Sequence, residues 1–237
     1  MKIGTLYIVA TPIGNLEDIT ARAVRILGEV DAVVCEDTRI TKRLLDHYGI
    51  ETKVVSFYQN QRKGGATKPV PKLEFLVQEL ESGKNIALVT DAGTPGISDP
   101  GNQLVAAAVA KQIPVVPIPG VSAVATLASV SGIDMGQFVF LGFPPHKKGR
   151  ETFFKKVLGF SLPVMYYESP HRVLKNLELL RTLEEGLAVE GQTKQIILGR
   201  ELTKMFEEVV RGNVAQMEAY FEANPGKVKG EFVIIIH

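Results

Sequence analysis

The chain has 237 residues, 45% of them hydrophobic and 22% charged, with a mean hydropathy of +0.10, which is enough apolar material for one large domain or two medium ones. Lys and Arg number 27 against 26 Asp and Glu, a formal net charge of +1; this excludes a basic nucleic-acid coat and an acidic tail, so any polyanion must meet a local patch. A single cysteine, Cys35, excludes an internal disulfide framework, and no apolar run approaches the ~18 residues of a membrane span. In chain order, TLYIVAT, AVVCED, VVSF, IALVTD and PVVPIPG read as strands alternating with helical stretches through about Gly120. That alternation favours a parallel sheet flanked by helices. The segment from Leu16 repeats apolar residues at helical spacing (Ile19, Ala23, Ile26, Leu27), and PGNQLVAAAVAKQ does the same, so both should cover a sheet face. FVFLGF, PVMYYES, QIILGRE and EFVIII, with helices near HRVLKNLELLRTL and VAQMEAYFEA, predict a second α/β block with a more mixed sheet.

The break between blocks is expected in PVVPIPGV, where Pro114, Pro117, Pro119 and Gly120 cluster; the domains are then residues 1–117 and 118–237. NQRKGGATKPVP is the best candidate for a mobile loop. The opening MKIGTLYIVATPIG is not a signal peptide, since its apolar run breaks at Pro12 and Gly14, and the cytoplasm is the expected compartment. The histidines His47, His146, His171 and His237 fall with Cys35 in none of the common ligand spacings, so no metal is expected.

The most informative stretch is DAGTPGISDPG, Asp91 to Gly101, directly after the apolar strand IALVT. Gly93, Gly96, Gly101, Pro95 and Pro100 fix an unusual backbone path and let a ligand approach the main chain. Asp99 before Pro100 has the form of an N-cap and first helical residue. Such a loop after a parallel strand is where open α/β sheets bind ligands. Neither G-x-G-x-x-G nor G-x-x-x-x-G-K-[ST] occurs, so ordinary dinucleotide and NTP sites are poorly supported. PIPGVSAV places Gly120 and Ser122 before a helix, and TPIGNLED repeats the logic after the first strand, with Asn15 or Asp18 as cap.

Taken in order, TPIGNLEDIT, EDTR (Glu36 to Arg39), DAGTPGISDPG, PGVSA, GFPPHKKGR, YESPHR, REL-TK and KGEFVIII closely resemble the bacterial 16S rRNA cytidine 2′-O-ribose methyltransferase family, within the tetrapyrrole-methylase superfamily of S-adenosylmethionine enzymes. The resemblance covers essentially the whole chain. It implies two α/β domains holding S-adenosylmethionine in the cleft between them, a homodimer, and 16S rRNA in the assembled small subunit as substrate. By motif, Pro12, Gly93, Thr94, Pro95, Ile97 and Ser98 correspond to donor-binding turns, with Thr94 where other members carry an aspartate. Ser122 and Ala123 match a second donor turn, and Tyr167, Arg200, Glu201 and Gly230 lie where the second domain lines the pocket. The chain departs from the pattern at SFYQNQRKGG, where Asn60 is the only remnant of a His- and Asn-rich stretch, and it stops at His237 where many relatives continue. A shorter C-terminus is expected to reduce the RNA-binding surface.

A ribose hydroxyl is a weak acid and gains from a nearby base. Glu36, Asp99 and His171 are the candidates for that role, among the carboxylates Glu36, Asp37, Asp91, Asp99, Glu168 and Glu201. Asp99 equally suits a helix cap, Glu36-Asp37 a pair with Arg39, and Glu201 a pair with Lys204. Arg39, Lys147, Lys148, Arg150 and Arg172 are the candidate RNA contacts, with Phe143 and Tyr58 able to stack on bases. Two other readings compete: methylation of a tetrapyrrole or corrin precursor, and a catalytically impaired RNA-binding assembly protein with the same fold.

Overall fold

Short β-branched runs become interior strands when helices cover both faces of the sheet. In the computed structural model, which describes residues 2–57, 71–98, 101–187 and 193–237, two compact units are present, Met1–Ser122 and Ala123–His237. In the first, β1 (Leu6–Val9), β2 (Ala32–Cys35), β3 (Val54–Ser56), β4 (Ile86–Leu88) and β5 (Val115–Ile118) form one sheet of order β3-β2-β4-β1-β5. Every pairing in it is parallel.

Helices α1 (Ala21–Glu29) and α2 (Thr38–His47) bury Ala23, Ile26, Leu27 and Leu45 against Val9, Val33, Ala87 and Val89 on one face. On the other, α3 (Pro71–Glu81) and α4 (Asn102–Ala110) bury Leu76, Leu80, Leu104 and Ala108 against Leu6, Val34, Ile86 and Leu88. This division follows from right-handed crossovers: steps toward β3 carry their helices on one face, and steps back carry them on the other. The chain therefore leaves β2 and β4, which are neighbours, in opposite directions. Their carboxyl ends form a topological switch point, where open α/β sheets bind ligands.

Two local expectations are corrected. The helical spacing from Leu16 is not one helix: the Asn15 side chain caps a 3-10 turn, Leu16–Asp18, and Thr20 then caps α1 by accepting the Ala23 N–H at 3.1 Å. Two capping side chains so close together divide the segment. Gly101, rather than Asp99, is the N-cap of α4; Asp99 and Pro100 themselves lie outside the described residues. The proline-rich run around Pro117 forms strand β5, as its sequence reads, at an edge position where a missing N–H is tolerated. Tyr58, Asn60 and the loop read at 60–71, apart from Pro71 at the start of α3, lie outside the described residues.

In the second unit β6 (Val139–Phe140), β7 (Val164–Glu168), β8 (Gln195–Arg200), β9 (Glu208–Asn213) and β10 (Phe232–Ile236) give the order β6-β7-β10-β8-β9. Only β6 and β7 are parallel; the other pairs are antiparallel, which makes the sheet mixed. Central β10 is buried throughout, as its FVIII sequence requires. Helices α6 (Arg150–Gly159), α7 (Val173–Leu187) and α8 (Val214–Ala223) supply Phe154, Leu177, Leu180, Met217 and Phe221 to one face. The short α5 (Ala123–Ser129) sets Leu127 against Gly199 on the other. Among the described residues, no helix is long and apolar enough to cross a membrane.

Two glycines give a matched test of the first unit's packing. At Gly101, φ is +126° and an added Cβ would lie 2.7 Å from Leu88 Cδ2, whereas at Gly28 in α1 it would meet nothing within 4 Å. Gly101→Ala should therefore cost about 1–3 kcal/mol, and Gly28→Ala should gain about 0.5–1 kcal/mol. Urea midpoints at unchanged m-value measure both.

Candidate functional site

Strands β1 and β4 end in loops that pair with each other. The Thr11 N–H donates to Gly93 O at 2.9 Å and the Gly93 N–H donates to Thr11 O at 3.0 Å, an isolated antiparallel bridge at the carboxyl edge of a parallel sheet. The buried Thr11 hydroxyl donates to Thr90 O at 3.2 Å, and the Thr90 hydroxyl to Ala92 O at 3.1 Å. The Thr94 hydroxyl donates to Val121 O at 3.0 Å, tying the same loop to the turn after β5. Pro12, Gly93 and Pro95 are buried, whereas Ile97 and Ser98 are exposed at the loop's far end.

Glycine lets this loop pack closely. Gly93 has φ +81°, and a Cβ there would press on Ile13 Cγ2 at 3.3 Å; at Gly120 it would lie 2.9 Å from the Ala10 Cβ. The backbone at the ends of β1, β4 and β5 is thus brought close together, with Gly93 packed on Ile13 and Gly120 on Ala10. Ser98 adds a left-handed non-glycine residue at φ 65°, a conformation that local structure must enforce. Ser122 and Ala123 fall at the junction of the two compact units, with Ala123 the first residue of α5.

At the switch point itself lie carboxylates. The Asp37 N–H donates to Asp91 Oδ1 at 3.2 Å, joining the ends of β2 and β4. The Asp37 carboxylate caps α2, accepting from the Arg39 N–H at 2.8 Å and from the Arg39 guanidinium at 3.1 and 2.7 Å. Those side-chain and backbone hydrogen bonds from Arg39 hold it near pKa 2, from an ordinary value of 3.8. Glu36 responds oppositely: burial first, then the charges of Asp91 and Asp37, raise it. Burial likewise raises the Cys35 thiol, with Asp91 and Asp37 adding to it against the lowering effect of Thr41, so Cys35 is no thiolate nucleophile at neutral pH. Among the described residues, no group of three His, Cys, Asp or Glu side chains is arranged to hold a metal ion.

In the second unit, Arg200, Glu201 and Gly230 come together. The buried Arg200 guanidinium reaches Glu208 at 3.1 Å, Phe206 O at 3.1 Å and Lys229 O at 3.4 Å. Glu201, left-handed at φ 49°, accepts from Lys204 and from the Glu231 N–H, each at 2.9 Å. A Cβ on Gly230 would fall 2.5 Å from Glu201 Cδ. The pairing of Glu201 with Lys204 is therefore realised, and these groups are committed to the joint between β8 and β10. Tyr167 is held by its N–H to Gly142 O at 2.9 Å, with its ring 5.1 Å from Phe140 and 5.2 Å from Phe143.

The candidate RNA contacts divide. Arg39 belongs to the first unit, its side chain 84% exposed and 2.7 Å from Asp37. Lys147 and Lys148 are exposed on the loop after β6, and His171 is exposed after β7. Arg150 folds back onto its own loop, toward Pro145 O at 3.4 Å and His146 O. Arg172 turns inward: its side chain is only 13% exposed, and it donates to Pro144 O at 2.9 Å and Ser169 Oγ at 3.1 Å. Beneath it, Glu168 is buried and accepts from the Ser169 N–H at 2.6 Å and from the Asn176 amide. Burial raises its pKa, offset by those two hydrogen bonds and by Arg172. Asn176 and the Pro144 carbonyl were not among the candidate groups. Glu168 ends β7, Arg172 precedes α7 and Asn176 lies within it, so no single periodicity in the sequence points to this group.

With this geometry in place, the chain's relatives can be read. Residues 5–218 match the family model of the tetrapyrrole (corrin/porphyrin) methylases. A protein of Halalkalibacterium halodurans named ribosomal RNA small subunit methyltransferase I is 43% identical over 234 residues, 98% of this chain and 75% of the relative. A protein of the same name from Escherichia coli O157:H7 is 41% identical over 98% of this chain and 77% of the relative. The solved structure of a cobalt precorrin-4 methyltransferase superposes with a TM-score of 0.63 at 16% identity, over 98% of this chain and 94% of that one, which establishes the shared fold. The chain belongs to the tetrapyrrole methylase family and, within it, groups with the proteins named ribosomal RNA small subunit methyltransferase I.

The Asp37 cap sets an acid-side signature. Its pKa is depressed in the folded state, so its stabilisation is present above the unfolded value near 3.8 and is lost as pH falls toward about 2. Asp37→Asn should lower the thermal midpoint at neutral pH and narrow its gap to wild type as pH drops through that window. A midpoint difference that stays constant from pH 5 to roughly pH 2 would contradict this assignment.

Proposed function

We propose that this chain transfers a methyl group from S-adenosylmethionine to the ribose 2′-hydroxyl of a cytidine in 16S ribosomal RNA. It does so in the cytoplasm, as a homodimer acting on assembled small subunits. The observation that carries the reading is the match over 98% of the chain to proteins named for small-subunit rRNA methylation. The cytidine and its 2′ oxygen rest on the motif resemblance, TPIGNLED through KGEFVIII.

The residues of the first unit fit the donor. S-adenosylmethionine supplies a sulfonium-activated methyl group, a cation with polar edges recognised through main-chain groups. The exposed turn at Gly120 and the exposed end of the Asp91–Ser98 loop are the cradle in this proposal, set on the Thr11–Gly93 bridge, where a Cβ at Gly93 would press on Ile13 and shift the loop. Glu36, Asp37 and Asp91 lie together at the neighbouring strand ends, where burial first and then the charges of Asp91 and Asp37 raise the Glu36 pKa, and such a cluster of carboxylates suits a cation. As the transfer proceeds, an O–C bond forms, the S–C bond breaks and the hydroxyl proton must leave. Glu36, half-buried beside two further carboxylates, is the proton acceptor in this proposal. Lys147 and Lys148, exposed on the loop after β6, hold RNA phosphates.

The test is transfer of labelled methyl from S-adenosylmethionine to small-subunit particles lacking the modification, followed by ribose-methylation mapping. Label at one cytidine ribose is the expected result; label on a base, or none, overturns the reading. Glu36→Gln should lower kcat by about a hundredfold or more, and Gly93→Ala should raise the donor KM about tenfold or more by shifting the loop of the cradle.

A further inference from the structure

Arg172 lies within the segment whose sequence most suggests an RNA contact, yet its guanidinium faces the protein. Nε donates to Ser169 Oγ at 3.1 Å and sits 3.8 Å from Glu168 Oε1, while Nη1 donates to Pro144 O at 2.9 Å. One planar group thus links the loop after β7 to the loop after β6. Glu168 anchors it from below, its side chain wholly buried and further held by the Ser169 N–H and the Asn176 amide on α7. A carboxylate this deeply buried is tolerated only with its charge matched and its lone pairs occupied. Arg meets that condition and still has a second N–H direction for Pro144; the single ammonium of Lys cannot span both sites.

The loop so braced, residues 143–150, carries the exposed Phe143, His146, Lys147 and Lys148. At its start the loop is set by the Phe143 ring 5.2 Å from Tyr167, while further along the Arg150 guanidinium returns only to Pro145 O at 3.4 Å and to His146 O within the loop itself, so Arg172 is the side chain that ties the Pro144 carbonyl to the loop after β7. We propose that Glu168 and Arg172 are positioning residues: an internal strut that fixes the basic loop in the geometry that RNA phosphates require, with Arg172 making no phosphate contact of its own. This deepens the RNA reading above and rests on it for the ligand, although the strut itself is testable without RNA.

The experiment uses the full chain with Arg172→Lys, Glu168→Gln and the double change Lys147→Ala/Lys148→Ala. Two readouts are taken: amide hydrogen exchange of residues 143–150, and the salt dependence of binding to small ribosomal subunits. For a strut, Arg172→Lys and Glu168→Gln each raise exchange in that loop about tenfold, with β8 and β10 amides unchanged, and each weakens binding about tenfold. The lysine pair leaves exchange alone and reduces the slope of log K against log salt by about 1.4–1.8, as two lost phosphate contacts require. Glu168→Gln is decisive, because it removes a negative charge: if Arg172 instead touched phosphate, this variant would bind as well as wild type or better. Unchanged loop exchange in both strut variants overturns the proposal. Should Glu168→Gln lose exchange protection throughout the unit, Arg172→Lys decides alone, by whether its loop exchange rises. Raised loop exchange in the strut variants, with no variant altering subunit binding, would support the strut and reject the RNA assignment of the loop.

Discussion

The first unit depends on a single main-chain constraint: two loops leaving a parallel sheet pair with each other before the chain turns into helices. The Thr11–Gly93 bridge places backbone where side chains would ordinarily fill the edge. Only glycine meets its conformational demand at φ +81° without strain. Buried threonines, Thr11 and Thr90, then serve as short struts under the loop. Threonine hydroxyls satisfy carbonyl groups that the sheet ladder no longer reaches, at a depth where an unpaired carbonyl costs roughly 1–3 kcal/mol.

The second unit solves a related problem with charge. Its two parallel strands, β6 and β7, end in proline-containing loops, and proline offers a carbonyl but no N–H. Pro144 is such a residue, and its carbonyl takes an Arg172 N–H. Arg200 does the same work at the opposite part of the sheet, gathering the Phe206 and Lys229 carbonyls while paired with Glu208. In both places a buried or nearly buried arginine closes a loop by reaching backbone oxygens, and a carboxylate keeps that charge tolerable. Charged residues that look functional by composition thus become fixtures of loop geometry.

Much of this architecture is legible in the sequence because period and punctuation agree. The alternation of β-branched runs with amphipathic stretches gives the parallel sheet, and the fully apolar FVIII gives the central strand β10. β9 is less legible: EVVRGN is only partly buried, so its pattern lacks a clean two-residue alternation. Capping chemistry misleads where two candidates compete, as at Asn15 and Thr20, and at α4, where glycine rather than a polar side chain holds the cap. At the site, the glycines of DAGTPGISDPG announce this edge, but the partner of Gly93, Thr11, lies 82 residues away, beyond any local pattern. The inward turn of Arg172 is hidden for the same reason: its acceptor, Pro144 O, is 28 residues upstream, and nothing in SPHR distinguishes a guanidinium aimed at phosphate from one aimed at a carbonyl.

Near-neutral net charge conceals an uneven distribution. Glu36, Asp37 and Asp91 gather at the switch point of the first unit, while exposed Lys147 and Lys148 occupy the loop after β6 in the second. Each unit therefore carries its own local field, negative at the ends of β2 and β4 in the first and positive on the loop after β6 in the second. At physiological ionic strength the screening length is about 8 Å, so each field acts over the span of its own loop cluster. Local placement, rather than the total of +1, therefore sets the field at each loop cluster, and a basic loop presents a defined field only where its backbone is held in place.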